Sequence, residues 1–225
     1  MTRTAGTNRN EAAENLKRVA RRLFAERGVD GVTVRQIAEA SGQKNHAAVG
    51  YHFGSKDALI RELVIHGARV IDERRNAWLD RQEAQGGPRT VREVVDVLVQ
   101  ASVDIGEDEN YNRFIVMLGM THRQFFMETL AGQWNSGYQR CLDHLRRLMP
   151  PLPPAMKNQR LLFLGAALGA VMAARETGLA DTSRSHPTWG SPHTLSHFAH
   201  AMTAMLEAPP EDPPEEPPEA ARGDS

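Results

Sequence analysis

The stretch from Val32 to Lys56 constrains the fold more than any other, because its apolar spacing fits two short helices joined by a tight turn. Val34, Ile37 and Ala38 recur at helical spacing and form one apolar face. Thr33 precedes this face as a helix N-cap does, and Gly42 follows it as the glycine after a helix C-terminus does. The first of the two helices is therefore predicted to end just before Gly42.

The second predicted helix, Gln43–Phe53, combines packing residues with polar side chains that have no packing role. Ala48, Val49 and Phe53 supply the apolar contacts. A helix, a glycine turn and a second helix rich in hydrogen-bonding side chains form the pattern of a helix-turn-helix, whose second helix enters the major groove of DNA. We therefore expect residues 43–52 to form a polar rod that contacts DNA.

Four linked sequence blocks resemble the DNA-binding domain of the tetracycline-repressor (TetR) family. They are LFAERG at 23–28, TVRQIA at 33–38, ASG at 40–42 and YHFGSK at 51–56, within a similarity that runs from about Leu16 to Leu63. Several blocks in the right order are more specific than one short motif. The chain departs from the family pattern by one additional residue between Gly42 and Tyr51, and Gly50 stands where an aromatic residue is common.

A polar set within this region is predicted to contact DNA. Its members are Thr33, Arg35, Gln43, Lys44, Asn45, His46, Tyr51, His52 and Lys56. Side chains early in the second helix can hydrogen-bond to base edges, whereas the resemblance implies that Thr33, Tyr51 and Lys56 hold phosphates and so fix the register. One head covers few base pairs, so we expect two heads of a homodimer to bind a near-palindromic operator in double-stranded DNA.

The charge distribution agrees with a nucleic-acid partner, although the net charge of −1 hides it. Residues 1–60 contain 10 Lys and Arg against 6 Asp and Glu, whereas residues 209–225 contain one Arg against six acids. The single cysteine, Cys141, excludes an internal disulfide and fits a reducing cytoplasm. The N-terminus has no apolar signal segment, and the apolar run Leu161–Ala174 is shorter than the about 20 residues that span a bilayer. We expect a cytoplasmic protein without a membrane partner.

Helical periodicity along the whole chain, with no alternating strand pattern, predicts an all-α fold. The expected parts are a flexible arm at 1–10, a three-helix helix-turn-helix head at 11–55, a helical ligand-binding and dimerisation bundle at 56–207, and a disordered Pro/Glu-rich tail at 208–225. The helices of the bundle are predicted at about 56–85, 90–105, 111–120, 123–149, 155–177 and 191–207.

The middle helices concentrate aromatic and sulfur-containing side chains, which suit the walls of an apolar ligand site. Each residue taken singly is ordinary core, but the resemblance implies that the cluster surrounds a small-molecule chamber. The candidate ligand contacts are His66, Trp78, Tyr111, Phe114, Met117, Phe125, Phe126, Trp134 and Tyr138. Such walls predict a lipophilic or aromatic effector.

Small residues on one face of the apolar run allow another helix to approach closely. Gly165 and Gly169 share this face, and glycine inside a helix costs about 1 kcal/mol against alanine, so two of them indicate a packing reason. Packing within one chain is one explanation. The resemblance favours the other, in which the last two helices pair with their copies in a four-helix bundle. The candidate dimer contacts are Leu161, Gly165, Leu168, Gly169, Met172, Leu195, Phe198 and Met202.

The resemblance implies a transcriptional repressor that leaves its operator when an effector binds. Two alternatives stay open: an activator, and a DNA-binding regulator with a filled core, which the lack of a cavity of about 300 Å³ would favour. The chain has no G-x-S-x-G, H-E-x-x-H or dinucleotide motif, so we expect neither an enzyme nor a cofactor. His193, His197 and His200 share a helical stripe that is able to bind zinc, but these positions equally fit solvent or a dimer contact, and no metal is predicted.

Overall fold

The computed structural model describes residues 3–105 and 110–210, and every regular element within these ranges is a helix. The predicted all-α fold is confirmed. The acidic turn around residues 106–109 and most of the predicted tail, from residue 211 onward, lie outside the described residues.

Three helices form the N-terminal head: α1 (Arg3–Arg27), α2 (Val34–Ala40) and α3 (Ala48–Phe53). Helix α1 begins inside the segment that the sequence assigned to a flexible arm, because no proline separates Arg3 from the apolar stripe that starts near Leu16. The helix stops at Gly28, whose φ of +72° is a left-handed conformation that glycine adopts without steric cost.

The remaining helices form the body of the protein. They are α4 (Lys56–Glu83), α5 (Val91–Gln100), α6 (Tyr111–Thr121), α7 (Arg123–Thr129), α8 (Ser136–Leu148), α9 (Pro154–Ala180), α10 (Pro187–Gly190) and α11 (His193–Glu207). Local capping explains two of the starts, as the sequence predicted. The Ser55 hydroxyl accepts the N–H of Ala58 at 3.0 Å, and Thr90 forms a capping box with Glu93.

Two clusters of buried apolar side chains hold the chain together. The first joins α1, α2 and α3 to the N-terminal half of α4 and to α6, so the head and the body share one core. Within it the rings of Phe24 and Phe114 lie 6.0 Å apart, centroid to centroid. The second cluster joins the end of α4 to α5, α8, α9 and α11. Helix α6 is therefore the element of the body that packs most directly on α1.

The single helix predicted over residues 123–149 is interrupted between α7 and α8. Gly132 adopts a φ of +69° and Trp134 a φ of +57° in this connection. A left-handed conformation costs a bulky residue such as Trp134 about 1–2 kcal/mol. The break places the connection over a cavity, which local sequence periodicity does not reveal.

Helix α9 is longer than the apolar run that was recognised in the sequence. At 27 residues it is long and apolar enough to cross a membrane by length and composition, contrary to the expectation from Leu161–Ala174 alone. In this fold 33% of its most apolar window is buried inside the chain, and residues of α9 belong to the second core cluster. Length and composition alone are weak evidence for a membrane span, because the core helix of a globular protein passes the same test.

Candidate nucleic-acid interface and ligand chamber

Helix α2 begins with reciprocal hydrogen bonds between Thr33 and Gln36. The Thr33 hydroxyl accepts the N–H of Gln36 at 3.2 Å, and the Gln36 side-chain oxygen accepts the N–H of Thr33 at 2.8 Å. Within α2, Arg35 pairs with Glu39, one turn further along, at 2.8 Å on the exposed side of the helix. The guanidinium of Arg35 is therefore partly neutralised before any phosphate arrives.

The recognition segment is only half helical. Helix α3 begins at Ala48, so the rod predicted over residues 43–52 is wrong for residues 43–47. The four polar residues expected at its start, Gln43, Lys44, Asn45 and His46, lie in the turn that precedes the helix.

Local hydrogen bonds explain why the turn is long. Gly42 has a φ of +72°, and the N–H of Gln43 donates to the carbonyl of Ala38 at 2.9 Å, which closes the end of α2. The side-chain oxygen of Asn45 then accepts the N–H of Ala47 at 2.9 Å, an Asx-turn that competes with helix formation. The turn thus accommodates the additional residue between Gly42 and Tyr51.

Helix α3 buries one side in the head and presents the other. Ala48 and Val49 are buried and Phe53 packs partly against the first core cluster, as the sequence predicted. Tyr51 is 65% exposed, and its ring meets that of His52 edge-on at 5.0 Å. An exposed aromatic residue with a hydroxyl suits a phosphate contact better than a core position.

The nine predicted DNA contacts all reach the surface between α2 and the start of α4. Six are exposed and three, Gln43, His52 and Lys56, are partly buried. Between Thr33 and Lys56 the chain has three Lys and Arg residues against one carboxylate, Glu39, so this surface carries a positive formal charge. That sign is the one a DNA backbone requires.

A cavity of about 1060 Å³, partly open to solvent, lies in the body between α4, α6, α8, α9 and the connection from α7 to α8. Its size reaches the upper range of small-molecule sites and far exceeds the about 300 Å³ below which a filled core would be favoured. We call this cavity the chamber.

Four of the nine predicted ligand contacts line the chamber: Tyr111, Phe126, Trp134 and Tyr138. The other five do not. Phe114 is buried against Phe24, Met117 lies beside Gly28, Trp78 packs on the second core cluster, Phe125 stacks under Arg61 at 4.3 Å, and the partly buried His66 lies outside the chamber wall. These five face other sides of the same helices, so the aromatic composition located the region correctly and failed to separate its faces.

The sequence interpretation missed the charged residues of the chamber wall. Arg75 lines the cavity, donates to the Ser102 hydroxyl at 3.2 Å, and has its guanidinium carbon 5.3 Å from the centre of the Tyr138 ring. Burial lowers the pKa of the Arg75 guanidinium and raises the pKa of the Tyr138 phenol. The spacing of Arg75 four residues after Ile71 on α4 is the signal that places both on one side of the helix.

The carboxylate of Asp72 is occupied by the start of α8. One oxygen accepts the N–H of Gly137 at 2.7 Å, and the other accepts the Ser136 hydroxyl at 3.0 Å and the Asn76 amide at 3.1 Å. An acid at a helix N-terminus satisfies free N–H groups and complements the helix dipole. Asp72 therefore fixes α8 against α4 beside the chamber.

Helix α6 is anchored at its N-terminus from two directions. The buried carboxylate of Glu176 on α9 accepts the N–H groups of Asn112 at 3.0 Å and Arg113 at 2.8 Å. The Tyr111 hydroxyl donates to the carbonyl of Val64 at 3.0 Å, and the Tyr111 ring fills the space above Gly67, where a Cβ atom would come within 2.1 Å of it. Tyr111 and Asn112 also line the chamber, so the anchored end of α6 is part of the chamber wall.

The predicted dimer contacts, which stay a prediction because the structure holds one chain, divide into three buried residues and five partly buried ones. Leu161, Leu168 and Met172 are buried, and Leu195, Phe198 and Met202 pack on the second core cluster. Gly165 and Gly169 line the chamber; a Cβ atom at Gly165 would lie 2.9 Å from the Tyr138 hydroxyl. The alternative of packing within one chain therefore accounts for the glycine face.

A different face of α9 is exposed. Leu162 and Phe163 are 69% and 58% exposed, and Ala166 and Ala170 follow at one-turn spacing on the same side.

The histidine row and the cysteine do not form reactive sites. His193, His197 and His200 are exposed on α11, and the described part of the chain holds no group of three side chains placed to bind a metal. Cys141 is buried, and burial raises the pKa of its thiol to about 11, which disfavours the reactive thiolate.

The profile of the family described as "Bacterial regulatory proteins, tetR family" matches residues 17–63, the region that contains α2 and α3. Residues 17–63 are therefore a TetR-family DNA-binding domain. Members of this family are transcriptional regulators and not enzymes.

Relatives of known name are similar over part of their length. The chain is 39% identical over 77 residues to the HTH-type transcriptional repressor AcnR of Corynebacterium glutamicum, covering 32% of this chain and 40% of AcnR. It is 42% identical over 60 residues to the HTH-type transcriptional repressor Rv3405c of Mycobacterium tuberculosis, covering 27% and 31% of the two chains. The similarity thus spans less than half of these relatives.

Solved structures share the arrangement of helices over nearly the whole chain. AibR, in complex with isovaleryl coenzyme A and operator DNA, superposes with a TM-score of 0.57 at 15% identity, over 88% of this chain and 99% of AibR. The ketosteroid regulator KstR2 of Mycobacterium tuberculosis gives 0.56 at 20% identity, over 88% and 92%. At these identities the likeness establishes the arrangement of helices and nothing about the ligand.

Proposed function

We propose that the protein is a homodimeric repressor that binds a near-palindromic operator and is released from it by a small lipophilic or aromatic molecule. The observation that carries this proposal is the position of α6, which has the chamber on one side and the head on the other. Repression is favoured over activation because AcnR and Rv3405c are named repressors.

Contacts on opposite faces of α6 supply a route from the chamber to the head. Tyr111 and Ile115 line the chamber, whereas Phe114 stacks on Phe24 of the head and Met117 lies beside Gly28. At the far end of α6, His122 pairs with Asp30 at 3.2 Å. A ligand that prefers a shifted α6 would move α1 with it, and DNA affinity would fall by the ligand's differential affinity for the two states.

The DNA-binding part of the proposal is tested with the purified chain and a fluorescent fragment of its own upstream region. We expect tight binding that weakens steeply with salt, because Lys44 and Lys56 displace counterions from phosphates. Equal affinity for a shuffled fragment of the same composition would contradict operator recognition.

The dimer is expected to form through the exposed face of α9 that contains Leu162 and Phe163. Adjacent large apolar side chains at this exposure mark an interaction surface. We expect the double substitution Leu162→Asp and Phe163→Asp to convert a dimer to a monomer in sedimentation velocity experiments. Met120→Asp is the matched control, since Met120 is 81% exposed on α6 and lies outside this face. A dimer that survives the double substitution would place the interface elsewhere.

The effector part is tested by screening lipophilic and aromatic compounds for an increase in Tm and then measuring DNA affinity with each compound that binds. A ligand that favours the released state lowers the affinity for DNA. Linkage then requires that bound DNA lower the affinity for this ligand by the same factor. Compounds that raise Tm and leave DNA affinity unchanged would support a regulator that is not gated by ligand.

A further inference from the structure

The chamber wall contains a cation that forms no ion pair with a carboxylate among the described residues. Arg75 makes one side-chain hydrogen bond, to the Ser102 hydroxyl. Its Nε is buried and has no hydrogen-bond partner. A buried charge is costly unless it is paired, so a guanidinium held beside an empty volume is suited to an anion that arrives from outside.

A second unpaired donor lines the same chamber. The indole Nε1 of Trp134 is buried and lacks a hydrogen-bond partner. Trp134 is also the bulky residue with the left-handed φ of +57°, and the protein retains that conformation at the chamber wall. Two orphaned N–H donors of different residues in one cavity are a rare arrangement, since buried polar groups are almost always satisfied.

The nearest acid on the same helix, Asp72, acts on Arg75 through its charge but forms no ion pair with it. Both oxygens of Asp72 are taken by Asn76 and by the start of α8. Arg75 instead lies over the face of Tyr138, a contact that orients the guanidinium and leaves its remaining donors available.

We propose that the chamber binds a monocarboxylic acid with an apolar body, whose carboxylate pairs with Arg75 and Trp134. The inference deepens the proposed function by giving the chemical class of the effector. The body of the acid would lie along the apolar side chains of Ile115, Phe126 and Met172. A planar guanidinium recognises a carboxylate through paired N–H donors, which matches an acid better than an alcohol or an amide.

The charge count selects a monoanion. Among the described residues of the chamber wall, Arg75 is the one cation and Asp72 the one anion, and Asp72 is already engaged by the start of α8, so a single cation is available to a ligand. A phosphate ester or another polyanion would leave negative charge unpaired beside Asp72, and such recognition uses several cations.

The test measures binding without DNA by calorimetry and by tryptophan fluorescence, using two matched pairs of probes: decanoate with decanamide, and 2-naphthoate with 2-naphthamide. We expect the wild-type protein to bind at least one acid about ten-fold or more tightly than its amide. Arg75→Gln should remove this preference by weakening only the acid, Arg75→Lys should retain part of it, and Trp134→Phe should weaken the acid a few-fold. Arg81→Gln is the control, because Arg81 is exposed on the same helix and its loss changes the net charge equally.

Equal binding of acid and amide, binding of neither pair, or a preference that survives Arg75→Gln would each overturn the proposal. Circular dichroism checks that Arg75→Gln is folded, and if it is not, Arg75→Lys and Trp134→Phe decide.

Failure of the acid site and failure of the repressor function give different results. An acid that binds selectively without changing DNA affinity keeps the site and removes its effector role. Release from DNA by amides as readily as by acids keeps gating and removes the acid specificity.

Discussion

The head and the body of this protein are built from the same element, the helix, and tolerate change very differently. The family profile covers only residues 17–63, whereas the body shares no more than its arrangement of helices with solved structures at 15–20% identity. The head presents polar side chains on an exposed surface, which we propose meets DNA, a partner of constant shape. The body surrounds a cavity whose walls set what fits. On this proposal the first surface is restricted by DNA and the second is free to follow a ligand.

The space around two glycines, one in the head and one in the body, illustrates this difference. A Cβ atom at Gly50, on the exposed side of α3, would meet nothing within 4 Å, whereas a Cβ atom at Gly67 would lie 2.1 Å from the Tyr111 ring. The exposed side of α3 has room for a side chain at Gly50, and the body has none where α4 meets α6.

The largest effect is expected where the two regions join. Phe114→Ala removes a fully buried ring that packs on Phe24, and we expect a loss of about 4 kcal/mol in the free energy of unfolding, measured with urea. Phe126→Ala is the control, because Phe126 already borders the chamber. For this variant we expect a loss of about 1 kcal/mol in the free energy of unfolding. Equal losses would mean that the chamber wall is packed as tightly as the joint.

Gly67→Ala should destabilise the protein by about 3 kcal/mol, because the added methyl group overlaps the buried Tyr111 ring. Gly50→Ala, with open space around it, should raise stability by up to about 1 kcal/mol through its better helix propensity. Thermal and urea unfolding of both variants check the two signs. If both substitutions stabilise, the contact between α4 and α6 is looser than described.

Substitutions on the head should change DNA affinity with little effect on folding. For Tyr51→Ala we expect a loss of about 1 kcal/mol in operator binding, because one phosphate hydrogen bond is removed while the side chain packs little against the core. Lys44→Ala should weaken binding similarly and reduce the slope of log affinity against log salt by about 1. Fluorescence anisotropy over a salt series measures both. An unchanged slope for Lys44→Ala would remove this lysine from the phosphate contacts.

The smallest expected effect is a pH dependence from Glu176. Burial raises the pKa of its carboxyl above the ordinary value of 4.5, so the folded protein holds this proton to higher pH than the unfolded chain does. The contribution of Glu176 to stability is therefore largest at low pH and is lost as pH rises from 4.5 through the raised pKa. Glu176→Gln should reduce this change of the free energy of unfolding with pH, measured by urea unfolding from pH 5 to pH 8.

His66 must be separated from this signal. Burial lowers its pKa, so its contribution is lost as pH falls and has the opposite sign. Because His66 is present in both proteins, the difference between the wild type and Glu176→Gln isolates the carboxyl. A difference that does not vary with pH would contradict the raised pKa.

Features that depend on neighbours in sequence were predictable from the sequence, and those that depend on distant neighbours were not. The capping residues Thr33, Ser55 and Thr90 each satisfy N–H groups within four residues, so the sequence alone located the starts of three helices. The Asx-turn at Asn45 is also local, but the apolar pattern of the following helix concealed it.

The sequence predicted the region that contains the chamber but not which residues of that region line it. Phe114 and Tyr111 are three residues apart on one helix, yet one packs on the head and the other lines the cavity. Gly165 needs no side chain because Tyr138 occupies that space, and no pattern within α9 distinguishes this cause from a partner helix. Arg75 resembled a solvated residue of a long charged helix until the fold placed Tyr138 beside it.

The connection between α7 and α8 has a practical consequence. Residues 130–135 border the chamber, and of them only Leu130 packs on a core cluster. Exchanging the segment from Ala131 to Asn135 would alter the inner shape of the binding volume without touching the joint between α6 and α1. A library confined to four of these codons, with Trp134 kept for the proposed carboxylate contact, is the economical way to redirect such a regulator into a biosensor for a chosen acid.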